Sequence, residues 1–190
     1  MFRGAGIMAG LLGTRLLMRR FLRAQDGATA VEFSLVAMPF FMLMLAIFET
    51  TAVYFASSTL ENAVNDASRE IRTGQVQFAN MTPQQFRQLI CDRIDVFLKC
   101  DASLAIDVRA FNDFQNVDFP SALNPDGTLK NNQQYQPGSA GDVVVVRVFY
   151  KWQLVTPLIG GTLSNMAGNM RLVEAATTFR NEPFGSILAN

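Results

Sequence analysis

From Phe33 to Phe48 the chain runs sixteen residues without a charge, and only Ser34 and Pro39 interrupt its apolar character. With Ala28–Val31 before it and Thr50–Phe55 after it, the stretch exceeds the ~20 residues that cross a bilayer. Such a run has two homes, a lipid bilayer or the middle of a folded core. Its flanks favour the bilayer, because Arg15, Arg19, Arg20 and Arg23 lie just upstream and a polar body follows. The first basic residue after the run is Arg69. The positive-inside rule therefore puts the amino terminus in the cytoplasm and everything beyond about residue 56 outside it. A shorter apolar patch, Gly4 to Met18, is broken by Arg15 and reads as a segment lying along the membrane surface rather than a second span.

Charge and composition narrow the function classes. Residues 1–27 hold five arginines against the single acid Asp26, so the remaining chain carries eleven basic and fifteen acidic groups. An acidic body argues against nucleic-acid binding, which needs a basic face to neutralise phosphates. The chain of 190 residues has no histidine. That removes Ser-His-Asp and Cys-His nucleophilic systems and the usual neutral-pH acid-base catalyst. A charged fraction of 17% against 49% hydrophobic residues also excludes intrinsic disorder.

Two residues in the run stand out. Glu32 places a carboxylate in apolar surroundings at a cost of about 2.5–3.5 kcal/mol on insertion scales. Either it snorkels to water at the cytoplasmic edge, or it pairs with a cation on a partner, the reading its setting favours. Pro39 removes a backbone donor and predicts a kink. Local melting there would help extraction from the bilayer, though a plain membrane-helix proline fits equally. Glu49 falls at the outer end of the span and receives no special role.

Immediately before the span stands Arg23-Ala24-Gln25-Asp26-Gly27, followed by Ala28-Thr29-Ala30-Val31-Glu32-Phe33. A basic leader, a glycine, four small or apolar residues, a glutamate, an aromatic and an apolar helix resemble a type IV prepilin cleavage region. The wider stretch, Asp26 through Phe41, resembles the TadE-like family of tight-adherence (Flp, type IVb) pilus assembly proteins. The strong similarity covers about residues 20–75, and Arg180-Asn181-Glu182-Pro183-Phe184 is similar to that family's closing segment. The resemblance implies a minor pseudopilin, cut between Gly27 and Ala28 by a prepilin peptidase, with Glu32 and Phe33 as fifth and sixth residues of the mature chain and as its assembly positions. An ordinary secretory signal differs, since there the apolar region precedes the cut and is removed. Implied partners are the peptidase, other pilins and pseudopilins, the inner-membrane assembly platform and the lipid bilayer. The implied location is the inner membrane, single-pass, with a periplasmic carboxy-terminal domain, and incorporation into the pilus is compatible with this.

Beyond the span, apolar positions at 53, 56, 60, 63/64, 67 and 71 step by three and four, which is helical. Glu61, Asn62, Asn65, Asp66, Arg69 and Glu70 fall on the other face, with Asp66 and Arg69 close enough to form a weak pair. Gly74 is the expected stop, so one helix runs from about 29 to 73. Its stripe serves an intramolecular core, a seam with another pseudopilin, or both. Thr82-Pro83-Gln84-Gln85 reads as a capped helix start, followed by Phe86, Leu89/Ile90, Ile94 and Phe97 on one face. Leu104–Phe111 alternates as a half-buried strand, with Asp107 and Arg109 on its polar side. Val143–Trp152 and Arg171–Phe179 are the other strands.

The expected fold is α+β and pilin-like: a long amino-terminal helix, its inner half transmembrane, with a small antiparallel sheet and a second helix packed on its outer half. The domains are a basic prepilin-type leader (1–27), a transmembrane helix (28–56) and an extracytoplasmic domain (57–190). The polar loop of residues 112–141 is either functional or mobile. Its Asp113, Asp118 and Asp126 match no compact calcium loop, so no metal or cofactor is expected. Residues 155–170, with Pro157 and Gly160-Gly161, form an apolar connector that can rest on the membrane surface. Cys91 and Cys100 face an oxidising compartment, which favours a disulfide. Nine helical steps span ~13.5 Å, beyond the ~7 Å limit for bridging. Either the helix ends near Phe97 and the chain folds back, or the thiols stay free.

Function is therefore expected to be structural rather than enzymatic: biogenesis of a tight-adherence type IVb pilus, in its initiation or assembly. The alternative is an unprocessed single-span membrane scaffold of a pilus or secretion complex that keeps its leader.

Overall fold

The computed structural model describes residues 27–156 and 160–185. The leader with its arginines, the Gly4–Met18 patch and Pro157 lie outside the described residues. Contacts divide the chain into two compact units, Met1–Leu45 and Ala46–Asn190. Helix α1 (Ala28–Arg72) belongs to both. After it come a short helix α2 (Gln75–Phe78), helix α3 (Pro83–Ile94), strand β1 (Leu104–Phe111), a 3₁₀ turn (Phe114–Asn116), strand β2 (Val143–Gln153), a short helix α4 (Gly160–Leu163) and strand β3 (Met170–Arg180).

In the Ala46–Asn190 unit, the stripe of α1 forms one wall of the core. Ala56, Leu60, Ala63, Val64, Ala67 and Ile71 are all buried, as a three-and-four spacing requires of a helix packed on one side. They meet Phe86, Ile90 and Ile94 of α3 and, from the sheet, Val108, Val144, Val146, Val148 and Ala175. The sheet is antiparallel in the order β1-β2-β3, with Val108 opposite Val146 and Val148 opposite Ala175. The architecture is α+β.

Helix α3 begins with the capping box that its sequence spells: Thr82 and Gln85 exchange side-chain and backbone hydrogen bonds, and Pro83 opens the helix. It ends at Ile94, earlier than the apolar spacing to Phe97 suggests. Phe97 and Leu98 both donate backbone hydrogen bonds to the Ile94 carbonyl, at 2.9 and 2.8 Å, and the chain turns there. The reversal returns Cys100 to Cys91, and the two are joined with Cα atoms 5.5 Å apart. Arg93 docks α3 to α1, 3.0 Å from Glu70 and 3.7 Å from Asp66. The expected Asp66–Arg69 pair is thus replaced by a tertiary one, which the helix spacing alone does not reveal.

The second face of the sheet is also covered, which corrects the half-buried reading of β1. Asp107 is buried and accepts the Gln134 backbone N–H at 2.8 Å, and Arg109 clasps the same carboxylate. Arg147, also buried, donates to the Pro120 carbonyl at 3.0 Å and lies 3.2 Å from Glu174. Residues 112–142 supply this cover, and Leu123 and Leu129 pack beside Phe149 in a second, smaller cluster. The same loop bridges Tyr135 to Val108 along the outer edge of β1, so that edge is not left open to pairing with another chain. Asp126 accepts from the Thr128 hydroxyl and backbone N–H, and those hydrogen bonds hold its carboxyl below the usual range. It is a turn residue.

The closing segment locks the far end of α1. Glu182 donates its N–H to the Arg72 carbonyl and pairs with the Arg72 side chain at 3.3 Å. Phe184 covers Gly74, whose φ is +82° and where a Cβ would come within 2.5 Å of the ring. Glycine is required there both by conformation and by space.

Tyr135 packs its ring 5.6 Å from that of Phe86, with its hydroxyl buried and unpartnered among the described residues. Burial pushes this phenol from its ordinary 10 up to about 12, because the charged form is poorly solvated there. The neutral phenol is the form that folding favours, so its contribution is complete below pH 10 and is lost as pH rises through about 12. Urea unfolding should show stability falling across that alkaline window, and Tyr135→Phe should lessen the fall. Burial also raises Tyr150, so a smaller decline remains in the variant.

Candidate functional site

The site expected from the sequence lies on the first turns of α1. Gly27 directly precedes the helix, and a Cβ placed on it would meet nothing within 4 Å. Ala28 is the first helical residue. The Gly27–Ala28 peptide is therefore sterically open where 3₁₀ backbone passes into the α-helix. Glu32 and Phe33 follow within the first two turns, both exposed. Among the described residues Glu32 has no hydrogen-bond or ion-pair partner. The spacing from Ala28 to Glu32 is one helical turn, so both lie on one face.

The residues that follow are apolar and bare. α1 contains an eighteen-residue window of mean hydropathy 2.2 with none of it buried. Phe33 is 69% exposed and Leu35 71%. One helix is thus long and apolar enough to cross a membrane. Three of its hydroxyls are satisfied within the helix, as a span requires: Ser34 donates to the Ala30 carbonyl at 2.7 Å, Thr50 to Ala46 at 2.9 Å and Thr51 to Ile47 at 2.8 Å. Pro39 lies inside a helix assigned without a break. Lacking an N–H, it leaves the Leu35 carbonyl without its usual helical donor.

A residue that the sequence reading passed over has the most developed surroundings. Glu49 is buried, and its two carboxylate oxygens accept the backbone N–H groups of Val155 and Thr156, the latter at 2.9 Å. It binds the connector after β2 to α1 and satisfies two donors that would otherwise be orphaned at the end of a strand. The signal was available: an ionisable residue at the end of an apolar run demands a partner. The partner's identity was not, since it lies 106 and 107 residues away. The connector itself contains α4 and an isolated bridge between Met166 and Met170.

Among the described residues no group of three His, Cys, Asp or Glu side chains is placed to hold a metal ion. Asp113 caps the 3₁₀ turn and lies 3.6 Å from Arg180. What the first part of α1 offers is an accessible peptide, an unpaired carboxylate one turn beyond it, and a bare apolar surface.

Residues 27–69 match the TadE-like protein family. The match starts at the glycine before the helix and stops within α1, so it covers the bare segment and most of the core stripe. It agrees with the resemblance drawn from residues 20–75. No curated protein and no solved structure matches the chain. A TadE-like domain implies a protein associated with the Tad pilus, a family of pilus components rather than enzymes. The matched segment thus ends before α3, the sheet and the closing residues.

Replacing Glu49 with alanine should leave two backbone donors unsatisfied and cost about 1–3 kcal/mol of stability. Limited proteolysis should then cut the connector between Leu154 and Leu163 faster than in the parent protein. Glu49→Gln keeps one acceptor oxygen and should fall between the two.

Proposed function

We propose that the chain is a minor pseudopilin of a tight-adherence type IVb pilus, held in the inner membrane by the first part of α1. The observation that carries this reading is the division of one helix into two surfaces. Its early window is wholly bare, while later turns of the same helix form a core wall. A bare apolar helix in water is unfavourable at about 25 cal/mol per Å², and a bilayer or a bundle of like helices removes that cost. In this reading the arginine-rich leader lies in the cytoplasm and the residues beyond about 56 in the periplasm, where the Cys91–Cys100 bond is stable.

In this account a prepilin peptidase cuts between Gly27 and Ala28, exposing an ammonium on Ala28. Glu32 of one subunit then neutralises the ammonium of a neighbouring pilin. Two opposite charges desolvated together cost far less than either alone, and loss of one leaves the other stranded. The pair fixes axial register, and Phe33 packs beside it. Pro39 weakens the helix where a subunit must leave the bilayer for the assembly platform.

Intact mass of the protein purified from cells with and without the peptidase tests processing. The account expects a chain beginning at Ala28 in the first case and at Met1 in the second. A chain beginning at Met1 in both supports a permanently anchored scaffold instead. Glu32→Leu should insert and be cut normally yet fail to support pili, as seen by electron microscopy. Normal piliation in that variant would remove the pairing role.

A further inference from the structure

Beyond the early part of α1, exposed apolar side chains are mostly scattered singly, as on any surface. Phe78 lies against Phe184, and Phe114 lies beneath Arg180. One group is different. Phe55 of α1, Phe97 of the turn after α3 and Trp152 at the end of β2 form a run of rings on the Ala46–Asn190 unit, with Tyr54 and Val96 beside them in sequence and Val155 on the connector just after β2. The Phe55 and Phe97 rings meet edge to face at 4.7 Å, and Phe97 stacks with Trp152 at 6.2 Å. Val155 is tied to α1 through Glu49. Five of the six are exposed, with Val96 at 98%, Val155 at 83% and Tyr54 at 75%, while Trp152 is half-buried at the border of the main core.

We propose that these six residues form a lipid-contacting rim that seats the Ala46–Asn190 unit in the headgroup layer of the outer leaflet. The proposal rests on the membrane reading of α1 and adds a second, non-spanning contact to it. Helical rise supplies the level. Ala28 to Phe48 spans about 31 Å at 1.5 Å per residue, matching a hydrocarbon core of about 30 Å. Residues 49–55 then rise a further ~10 Å, through and to the edge of the headgroup layer. Tyr54 and Phe55 arrive at the depth where amphipathic aromatic rings concentrate, and the chain's only tryptophan stands beside them. Val96 and Val155 extend the same surface as short apolar fingers. Asp95 and Lys99 bracket Val96, both exposed, and a charge of each sign suits a zwitterionic headgroup layer better than a dry protein seam. Glu49 gains a purpose here, because it holds Val155 against α1 at this level while its own charge is met by backbone N–H groups.

The single tryptophan makes the test direct. The full chain is reconstituted into phosphatidylethanolamine–phosphatidylglycerol vesicles carrying bromine near the carbonyls or near the acyl-chain ends. Insertion is read separately by resistance to alkaline carbonate extraction. Trp152 emission should fall by about half with shallow bromines, much less with deep ones, and be shielded from aqueous iodide, as an interfacial ring requires. Val96→Asp combined with Val155→Asp, both at bare positions, should keep carbonate resistance and restore iodide quenching. An inserted chain whose Trp152 ignores shallow bromines overturns the rim alone, as does an inserted chain in which Val96→Cys cross-links to a neighbouring subunit while Trp152 stays unquenched, which assigns the surface to a protein partner. A chain extracted by carbonate overturns the membrane reading itself, and the rim with it.

Discussion

A continuous helix must bury whatever apolar surface it carries, and α1 carries more than the described residues cover. From Ala56 to Ile71 the stripe is matched by α3 and the sheet. Before that, side chains such as Leu35 and Leu43 are exposed, at 71% and 63%. Backbone hydrogen bonding offers no objection to a lipid setting, because a helix satisfies its own amides and its hydroxyls turn back onto carbonyls one turn earlier. The consequence is one helix with two surfaces, an exposed apolar one and one packed in a core. The fold of the Ala46–Asn190 unit follows from one of them and the proposed function from the other.

That unit owes much of its stability to a loop. A three-stranded sheet with one face wet would be a modest structure, yet β2 buries both faces from Val143 to Tyr150. The cover comes from residues 112–142, which contribute a backbone acceptor to Arg147 and a backbone donor to Asp107. Buried charges are tolerated only when so partnered, and here the partners are chain segments with little regular structure. The disulfide and the Arg93 bridges hold α3 to its place, and the closing segment holds the far end of α1 over Gly74. Each device fixes an end or an edge that hydrophobic packing alone leaves loose.

Elements with a strong period were legible in the sequence. The strand boundaries at Leu104, Phe111 and Val143 and the capping box at Thr82 appear where alternation and cap chemistry put them. Glu32, Gly27 and the bare run could be marked because their oddity is local. What was not legible is tertiary. Asp107 looked like a solvent-facing residue because nothing nearby announces that Gln134 will cover it. Asp66 found Arg93 rather than Arg69, since pairing within a helix is weak and a docked arginine is not. Glu49 stands in an apolar context much as Glu32 does, yet one carboxylate is met by backbone N–H groups of its own chain and the other is met by none among the described residues. That difference separates a residue serving the fold from one available to a partner.

The central claim is that the early surface of α1 is sheltered by lipid and not by protein or water. Cysteine accessibility tests it most directly, since the two natural cysteines are bonded to each other and an introduced thiol is unique. In native vesicles Val36→Cys, on the bare segment, should resist a charged maleimide, while Asn65→Cys, on the exposed face of the core-forming half, should react on the side that the domain occupies. Equal and rapid labelling of both positions would contradict the account.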